Sequence, residues 1–395
     1  MVNHVECHHE ITTKDGLFKN LSTYCELNKL NAFDYVPLTF VIDLDNQTYN
    51  YDLERFINCY NIISNANAIT GANGIDEVQL DKIRGSINQS LSSLVCSKDR
   101  RIIRSCIPYF SKTHFNGKNL WIIKPTGLNR GRGVQVFATL DEMKKIIKEC
   151  SEGISNSNEI QEVKTEKAET IKEEPINNDI PPLSIAWEAS HPPISNLNNL
   201  PNMVKARSFV IQKYIEAPLL IYKRKFDIRV WMLLTHEGKG YFFKEGYLRM
   251  SSYEYTTDIN NKEIHLTNNA IQKNTQKYGQ LEDGNQLSFN DFQKYIDENY
   301  PESKISVRDQ LYPKMKEFVN LTLQCSRKKL NPSDKKYCFE IFGYDFMIDS
   351  DFQLCLIEIN TNPCLEESSR LLKALIQRML GIMFYRMMRL NSQWM

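Results

Sequence analysis

Two strand-like runs bring a pair of carboxylates within reach of one another. Tyr344-Asp345-Phe346 and Ile357-Glu358-Ile359-Asn360 flank Asp349-Ser350-Asp351, a turn signal. The midpoint of positions 345 and 358 falls at the edge of that turn, so a hairpin sets Asp345 opposite Glu358. Strand alternation puts Asn360 on the face of Glu358 and turns Ile357 and Ile359 the other way. Two apposed carboxylates in apolar strands repel unless something neutralises them. With an amide beside them they suit Mg2+, which takes a few carboxylates and completes its shell with substrate phosphates. The competing reading is one protonated, buried carboxylate, or a plain edge hairpin.

Two cationic stretches add to this. In Lys225-Phe-Asp-Ile-Arg-Val230, Lys225, Asp227 and Arg229 share one face of a strand, and Phe226, Ile228 and Val230 share the other. A solvent-facing ladder of salt bridges would look the same. The apolar opposite face and Trp231 argue for a central strand, where three charges need a polar ligand or each other. Gly127-Leu-Asn-Arg-Gly-Arg-Gly133 follows a strand that ends in Lys124-Pro125. Its glycines allow backbone N–H groups close to an anion, so it is either a phosphate turn or a simple hairpin. It lacks the Gly-Lys-Ser/Thr of a P-loop and the third glycine of a dinucleotide fingerprint. No Ser-His-Asp order or Cys-His pair presents itself, and His265 reads equally well as structural.

The elements that must hold these residues are mixed. Val36–Asp43, Asn119–Lys124, Val134–Phe137, Ser208–Ile215, Phe226–Thr235, Lys239–Leu248, Tyr337–Ile348 and Gln353–Ile359 read as strands. Leu53–Ile63, Leu140–Cys150, Leu287–Glu298, Asp309–Ser326 and a closing segment from Leu371 read as helices, and Ser64–Gly74 as a loop. Strands with helices packed on them indicate an α+β fold. Residues 151–205 are rich in Asn, Ser, Glu and Pro and read as a disordered insertion. His4, His8 and His9 invite a metal, but a frayed terminus is the preferred reading.

At roughly 150 residues per domain, 395 residues make two to three domains. The 49 Lys and Arg nearly cancel the 48 Asp and Glu, which argues against a uniformly basic nucleic-acid coat. Ten scattered cysteines without a Cys-x-x-Cys pair disfavour a zinc knuckle and suit reduced thiols. The apolar segment Ala374–Met388 is interrupted by Arg378 and Arg386 and is too short to span a bilayer.

Taken in order, Lys124-Pro125, Arg130-Gly-Arg-Gly133, Gln212-Lys-Tyr-Ile215, Lys225-Phe-Asp-Ile-Arg229, Tyr247-Leu-Arg249, His265-Leu-Thr-Asn268 and Glu358-Ile-Asn360 resemble the tubulin–tyrosine ligase-like family in sequence order and rough spacing. The resemblance runs from about Val36 to about Lys373, apart from the insertion. It implies an ATP-grasp fold and the use of ATP and Mg2+ to join amino acids to tubulin tails. On that basis Lys124, Arg130, Gly131 and Lys225 would hold phosphates, and Gln212, Lys213, Tyr214 and Ile215 would hold adenine, largely through backbone. Asp227 and Arg229 would line the reaction centre, with Asp227 also touching the nucleotide beside Thr267 and Asn268. Arg249 would take the carboxylate of the incoming amino acid, Asn269 would stand on the substrate side, and Asp345, Glu358 and Asn360 would bind Mg2+.

The implied organisation is an N-terminal mixed domain over 1–100, a central ATP-grasp domain over 101–150 and 206–216, the insertion, and a C-terminal ATP-grasp domain over 217–390 that bears the metal and substrate site. Many glutamate-adding members have Tyr after the Thr-Asn pair, where this chain has Asn269. Together with Tyr214–Tyr222, Phe243–Arg249 and His265–Lys273, that resembles the glycine-adding branch. Glutamate is the second reading and C-terminal tyrosine the third. The tail 381–395 does not look like a family ending. A monomer working on tubulin or microtubules in the cytoplasm and cytoskeleton, in a cilium or flagellum, without nucleic acid or membrane, is the implied setting. Lys213, Lys223, Arg224 and Lys244 are candidates for a basic rim that would steer acidic tails.

Overall fold

The computed structural model describes residues 2–70, 77–93, 115, 117–128, 131–155 and 203–391. The strands, in chain order, are β1 (Val2–Asn3), β2 (Thr39–Asp43), β3 (Trp121–Pro125), β4 (Gln135–Phe137), β5 (Ile154–Ser155), β6 (Met203–Val204), β7 (Ser208–Lys213), β8 (Leu220–Ile221), β9 (Arg224–Thr235), β10 (Gly240–Glu254), β11 (Gln286–Ser288), β12 (Cys338–Ile348) and β13 (Leu354–Thr361). A large sheet runs β1-β12-β9-β10-β11, with β13 also on β12 and β8 on β9. A four-stranded sheet runs β2-β7-β3-β4. Helices pack on both, so the fold is α+β, as expected.

Strand β9 organises the molecule, and all twelve of its residues are buried. Phe226, Ile228, Val230, Met232 and Leu234 face the main core, together with Met315 and Phe318 from helix Tyr312–Ser326 and Phe292 from helix Phe289–Asn299. The other face is apolar only at Trp231 and Leu233. There helix Arg370–Asn391 covers it with Leu372, Leu375, Ile376, Met379 and Met383. Each such buried side chain contributes about 1.5–3 kcal/mol. The rest of that face, bearing Lys225, Asp227 and Arg229, is left to polar partners.

The described residues among the first hundred are divided between the cores of the two sheets. Val5 through Val36 belong to the core of the large sheet, and Leu38 through Ile87 to that of the four-stranded sheet. The cause is pairing: β1 runs parallel to the start of β12, and β2 pairs with β7 from Thr39↔Gln212 to Asp43↔Ser208. From Val2 onward the chain is paired, not frayed as expected. Strand β13 leaves the first residues of β12 without a neighbour on that edge, and β1 supplies one. Val5 N–H donates to the buried Glu340 carboxylate at 2.9 Å, and His4 Nδ1 lies 3.3 Å from the same oxygen.

Helix Tyr49–Thr70 runs through most of the expected Ser64–Gly74 loop, because Ile63 and Ala66 extend its buried stripe. Helix Leu140–Glu152 starts with a full capping box between Thr139 and Glu142. The two ends of the expected insertion meet as the β5–β6 pair, and its residues 156–202 lie outside the described residues. The eight described cysteines are free thiols. No helix among the described residues is long and apolar enough to cross a membrane.

Candidate active site

Cross-strand register turns the charged face of β9 into a ladder. Asp345 on β12 lies directly opposite Arg229 on β9, and Asp227 on β9 lies opposite Arg249 on β10. Arg229 holds Asp345 with two bonds, Nε–Oδ1 at 2.5 Å and Nη2–Oδ2 at 3.0 Å. Arg249 donates from Nε to Asp227 Oδ1 at 2.5 Å and lies 2.7 Å from Asp345 Oδ2 through Nη2. The Thr267 hydroxyl donates to the second oxygen of Asp227. All four charges are buried, and they sum to zero. Burial by itself would raise the Asp345 carboxyl, but Arg229 and Arg249 outweigh it and hold it well below the usual carboxylate range. Gly343 makes room for this: a Cβ there would come 3.3 Å from the Arg229 guanidinium and 2.8 Å from Pro363.

Asp345 and Glu358 are register partners, as the hairpin argument expects. A β-bulge follows at once, since Phe346 pairs with Leu356 and Ile357 is the extra residue. Asn360 donates from Nδ2 to Asp345 Oδ2 at 3.1 Å and to Glu358 Oε1 at 3.3 Å. No group of three or more His, Cys, Asp or Glu side chains fit to hold a metal occurs among the described residues. The donors here are two carboxylates and an amide, all oxygen ligands, and Asp345 is already shared with two guanidinium groups. That set fits a hard cation whose remaining ligands come from phosphate and water.

Two buried lysines face this group, Lys124 from the four-stranded sheet and Lys225 from β9 of the large one. Lys124, next to last in β3, donates to Gln212 Oε1 at 2.8 Å. Burial lowers its pKa to about 8 against the pull of Glu358 and Asp345. Lys225 donates to Tyr214 Oη at 2.9 Å and to the His265 carbonyl at 2.8 Å. Burial takes it to about 7, with Asp227 opposing the shift and Lys124 adding to it. Lys213 points elsewhere: its ammonium is buried against Glu216 Oε1 at 2.6 Å and the Leu120 carbonyl at 2.9 Å. Its side chain is therefore structural, and only its backbone remains for a base. Ile215 lies just past the end of β7 and is half-buried.

The glycine turn has Gly131 and Gly133 at φ +73° and +69°, in the left-handed region that favours glycine. A Cβ on Gly131 would come 3.0 Å from Ile271, so the turn closes on the segment that follows Thr267. Arg130 lies outside the described residues. Thr267 is buried, Asn268 is half-buried at the start of the short helix Asn269–Gln272, and Asn269 accepts a hydrogen bond from Tyr278 Oη at 2.8 Å.

One cation escapes a reading by motif. Lys14 donates to the Leu128 carbonyl at 3.0 Å, and it lines a small cavity with Lys124, Gln212 and Glu358. Its sequence signal is an anomaly, a lysine in the first turn of helix Lys14–Leu27, where the helix dipole favours an acid. Two of the four expected rim residues are not on the surface. Lys213 is buried as described, and Arg224 is buried in a two-bond pair with Glu282. Lys223 and Lys244 are exposed.

A family model for the tubulin-tyrosine ligase family matches residues 85–392. The match covers helix Arg370–Asn391, including most of the tail that the motifs alone leave outside the resemblance. Tubulin glycylase 3B of Tetrahymena thermophila is 29% identical over 306 residues, 75% of this chain and 21% of that protein. Tubulin glycylase 3D of the same organism is 30% identical over 314 residues, 77% of this chain and 23% of that protein. Probable tubulin polyglutamylase TTLL9 of Bos taurus is 29% identical over 253 residues, 63% of this chain and 50% of that protein. The chain thus spans about a fifth of the length of the glycylases it matches. With a family model over most of its length and an ATP-grasp-like α+β fold, the chain belongs to the tubulin-tyrosine ligase family.

Proposed function

We propose that this chain is an ATP-dependent ligase that adds glycine to glutamate side chains of tubulin tails. The observation that carries the reading is the convergence of Lys124, Lys225, Glu358, Asn360 and the Asp227–Arg249–Asp345–Arg229 ladder between the two sheets. Lys124 and Lys225, with Lys14 beside them, would hold the triphosphate of ATP. Glu358, Asn360 and Asp345 would hold Mg2+, which supplies neutralisation of phosphate charge when bound. The acceptor carboxylate takes the γ-phosphoryl group and releases ADP. The donor amine then attacks the acyl carbon and inorganic phosphate leaves. Arg229 would stabilise the oxyanion that develops, because its position is fixed before reaction. Arg249 spends two of its five N–H bonds on Asp227 and Asp345, which leaves donors for the carboxylate of the amino acid.

Glycine is favoured by the resemblance of the segments around Arg249 and Asn269 and by relatives named as glycylases. Glutamate is the alternative, since a relative named as a polyglutamylase matches at similar identity. A non-catalytic microtubule-binding protein is the contrasting class, and the complete set of phosphate and metal candidates argues against it. The setting that goes with this reading is the cytoskeleton, in a cilium or flagellum. Incubation with ATP, Mg2+, tubulin and each amino acid separately, followed by mass spectrometry of tail peptides, is expected to give a ladder in glycine steps. A ladder in glutamate steps alone would change the donor and keep the ligase, and no ladder with any amino acid would remove both.

Lys225 gives this reading a pH signature. Its pKa of about 7 in the free protein means that much of it is neutral at pH 7.5. A bound phosphate favours the ammonium form, so nucleotide binding should take up a proton. Affinity should be full below about pH 7 and fall as pH rises above it. Calorimetric titration with ADP in two buffers of different ionisation enthalpy measures the uptake. Binding without proton exchange at pH 7.5 would contradict the assignment of Lys225.

A further inference from the structure

The side chains of Gln212 and Tyr214 have no part in a base contact made through backbone, yet both are buried and aimed. They alternate with Lys213, so they lie on one side of the chain while Lys213 turns to Glu216. Each accepts a hydrogen bond from one of the two buried lysines: Gln212 Oε1 from Lys124 on β3, and Tyr214 Oη from Lys225 on β9. Each is in turn anchored. Gln212 Nε2 donates to Thr39 Oγ1 at 2.9 Å, and the Thr39 hydroxyl donates to the Pro37 carbonyl at 2.6 Å. Tyr214 Oη lies 2.7 Å from His265 Nδ1, and His265 Nε2 lies 2.6 Å from the Asp258 carbonyl.

The second relay has one consistent proton arrangement. A carbonyl only accepts, so His265 Nε2 carries its proton toward Asp258. Burial lowers the pKa of His265, which keeps the ring neutral and leaves Nδ1 as an acceptor. The Tyr214 hydroxyl therefore donates to Nδ1 and offers its lone pairs to Lys225. Both lysines come from other strands and have no other side-chain acceptor among the described bonds. Both relays end on backbone carbonyls, which do not titrate.

We propose that Gln212 and Tyr214 are positioning residues: one short stretch of chain holds Lys124 and Lys225 at a set separation for a phosphate chain, with Thr39 and His265 as their anchors. The proposal rests on the reading of Lys124 and Lys225 as phosphate ligands and adds a second duty to a segment that otherwise serves adenine. The charged and titratable groups around Lys225 are Asp227 on its own strand, Lys124 on β3, Tyr214 with Tyr255 beside it, and His265. Of these, only the relay supplies a neutral acceptor that a single-atom change removes.

The test uses the full chain and calorimetric titration with ADP and, separately, adenosine. Tyr214→Phe keeps the ring and removes the hydroxyl, and Gln212→Leu removes the acceptor. Hydrogen bonds to charged groups are strong enough that Tyr214→Phe and Gln212→Leu should each weaken ADP by about tenfold or more. Adenosine affinity should change by less than about twofold. Tyr214→Phe should also move the alkaline fall of ADP affinity to lower pH, because an ammonium without its acceptor gives up its proton sooner. Equal losses for ADP and adenosine, or an unshifted pH profile in Tyr214→Phe, would overturn the proposal. Lys124→Met and Lys225→Met separate the two ideas. If they weaken ADP while the relay variants do not, positioning fails alone. If they do not weaken ADP, the phosphate reading fails as well.

Discussion

Glu358→Gln should stop turnover and leave the protein folded. The substitution keeps the volume and one oxygen of the side chain and removes only its charge. Asn360, 3.3 Å away, keeps a partner, and so does the hairpin, whose register rests on backbone bonds and not on this side chain. What is lost is the carboxylate of the site that makes no ion pair among the described residues, since Asp345 is shared with Arg229 and Arg249. A divalent cation would then be held by one encumbered carboxylate and two neutral amides. A loss of a few kcal/mol of charge stabilisation corresponds to a fall in kcat of about a thousandfold. Single-turnover ligation across a Mg2+ titration measures it, beside a melting curve expected to move little. Wild-type kcat at saturating Mg2+ would sink the metal assignment. A thousandfold loss accompanied by a large drop in melting temperature would move the effect from chemistry to folding.

Asp345→Ala should lose turnover as well, but unlike Glu358→Gln it should also lose much stability. Two buried guanidinium groups, Arg229 and Arg249, both depend on this carboxylate. Removing one partner of a buried ion pair leaves uncompensated charge and costs about 3–5 kcal/mol. Denaturant unfolding of the nucleotide-free protein measures this term apart from metal binding, and a change under about 1 kcal/mol would show that water reaches the ladder. The same carboxyl gives a sign for pH. Its folded value lies below the ordinary value of about 3.9, so its stabilising contribution is complete above that value. It is lost progressively as pH falls below it. Asp345→Asn should therefore unfold with a shallower dependence on acid than the wild type.

Much of the site is legible from local pattern. The alternation in Lys225–Val230 separates a charged from an apolar face, and twelve buried residues in β9 bear out its central position. Both readings of that stretch hold in part, for it is a salt-bridge ladder, yet one buried in the core rather than facing water. Lys14 could not be grouped with Lys124 on spacing, because the two are brought together only when the N-terminal helix packs beside β7 and β13. Arg224 looked like a rim charge because nothing near it in the chain announces Glu282.

The amino-acid order by itself determined eight of the thirteen described strands, where β9 changes from charged to apolar, and that Asp345, Glu358 and Asn360 belong to one hairpin. These follow from short-range rules, a period of two in strands and turn residues between them. The tertiary structure decided the rest. The hairpin below the site pairs Ile348 with Leu354, a register that, continued, would set Asp345 opposite Ile357. The bulge at Ile357 advances β13 by one residue and brings Glu358 opposite Asp345 instead. Which carboxylate meets which guanidinium was likewise set by the pairing of β12, β9 and β10. The described residues among the first hundred were shared between two sheets because β1 and β2 found different partners. Local pattern states what a face is made of. Only strand pairing states what it faces, because the energy that selects a neighbour comes from residues far away in the chain.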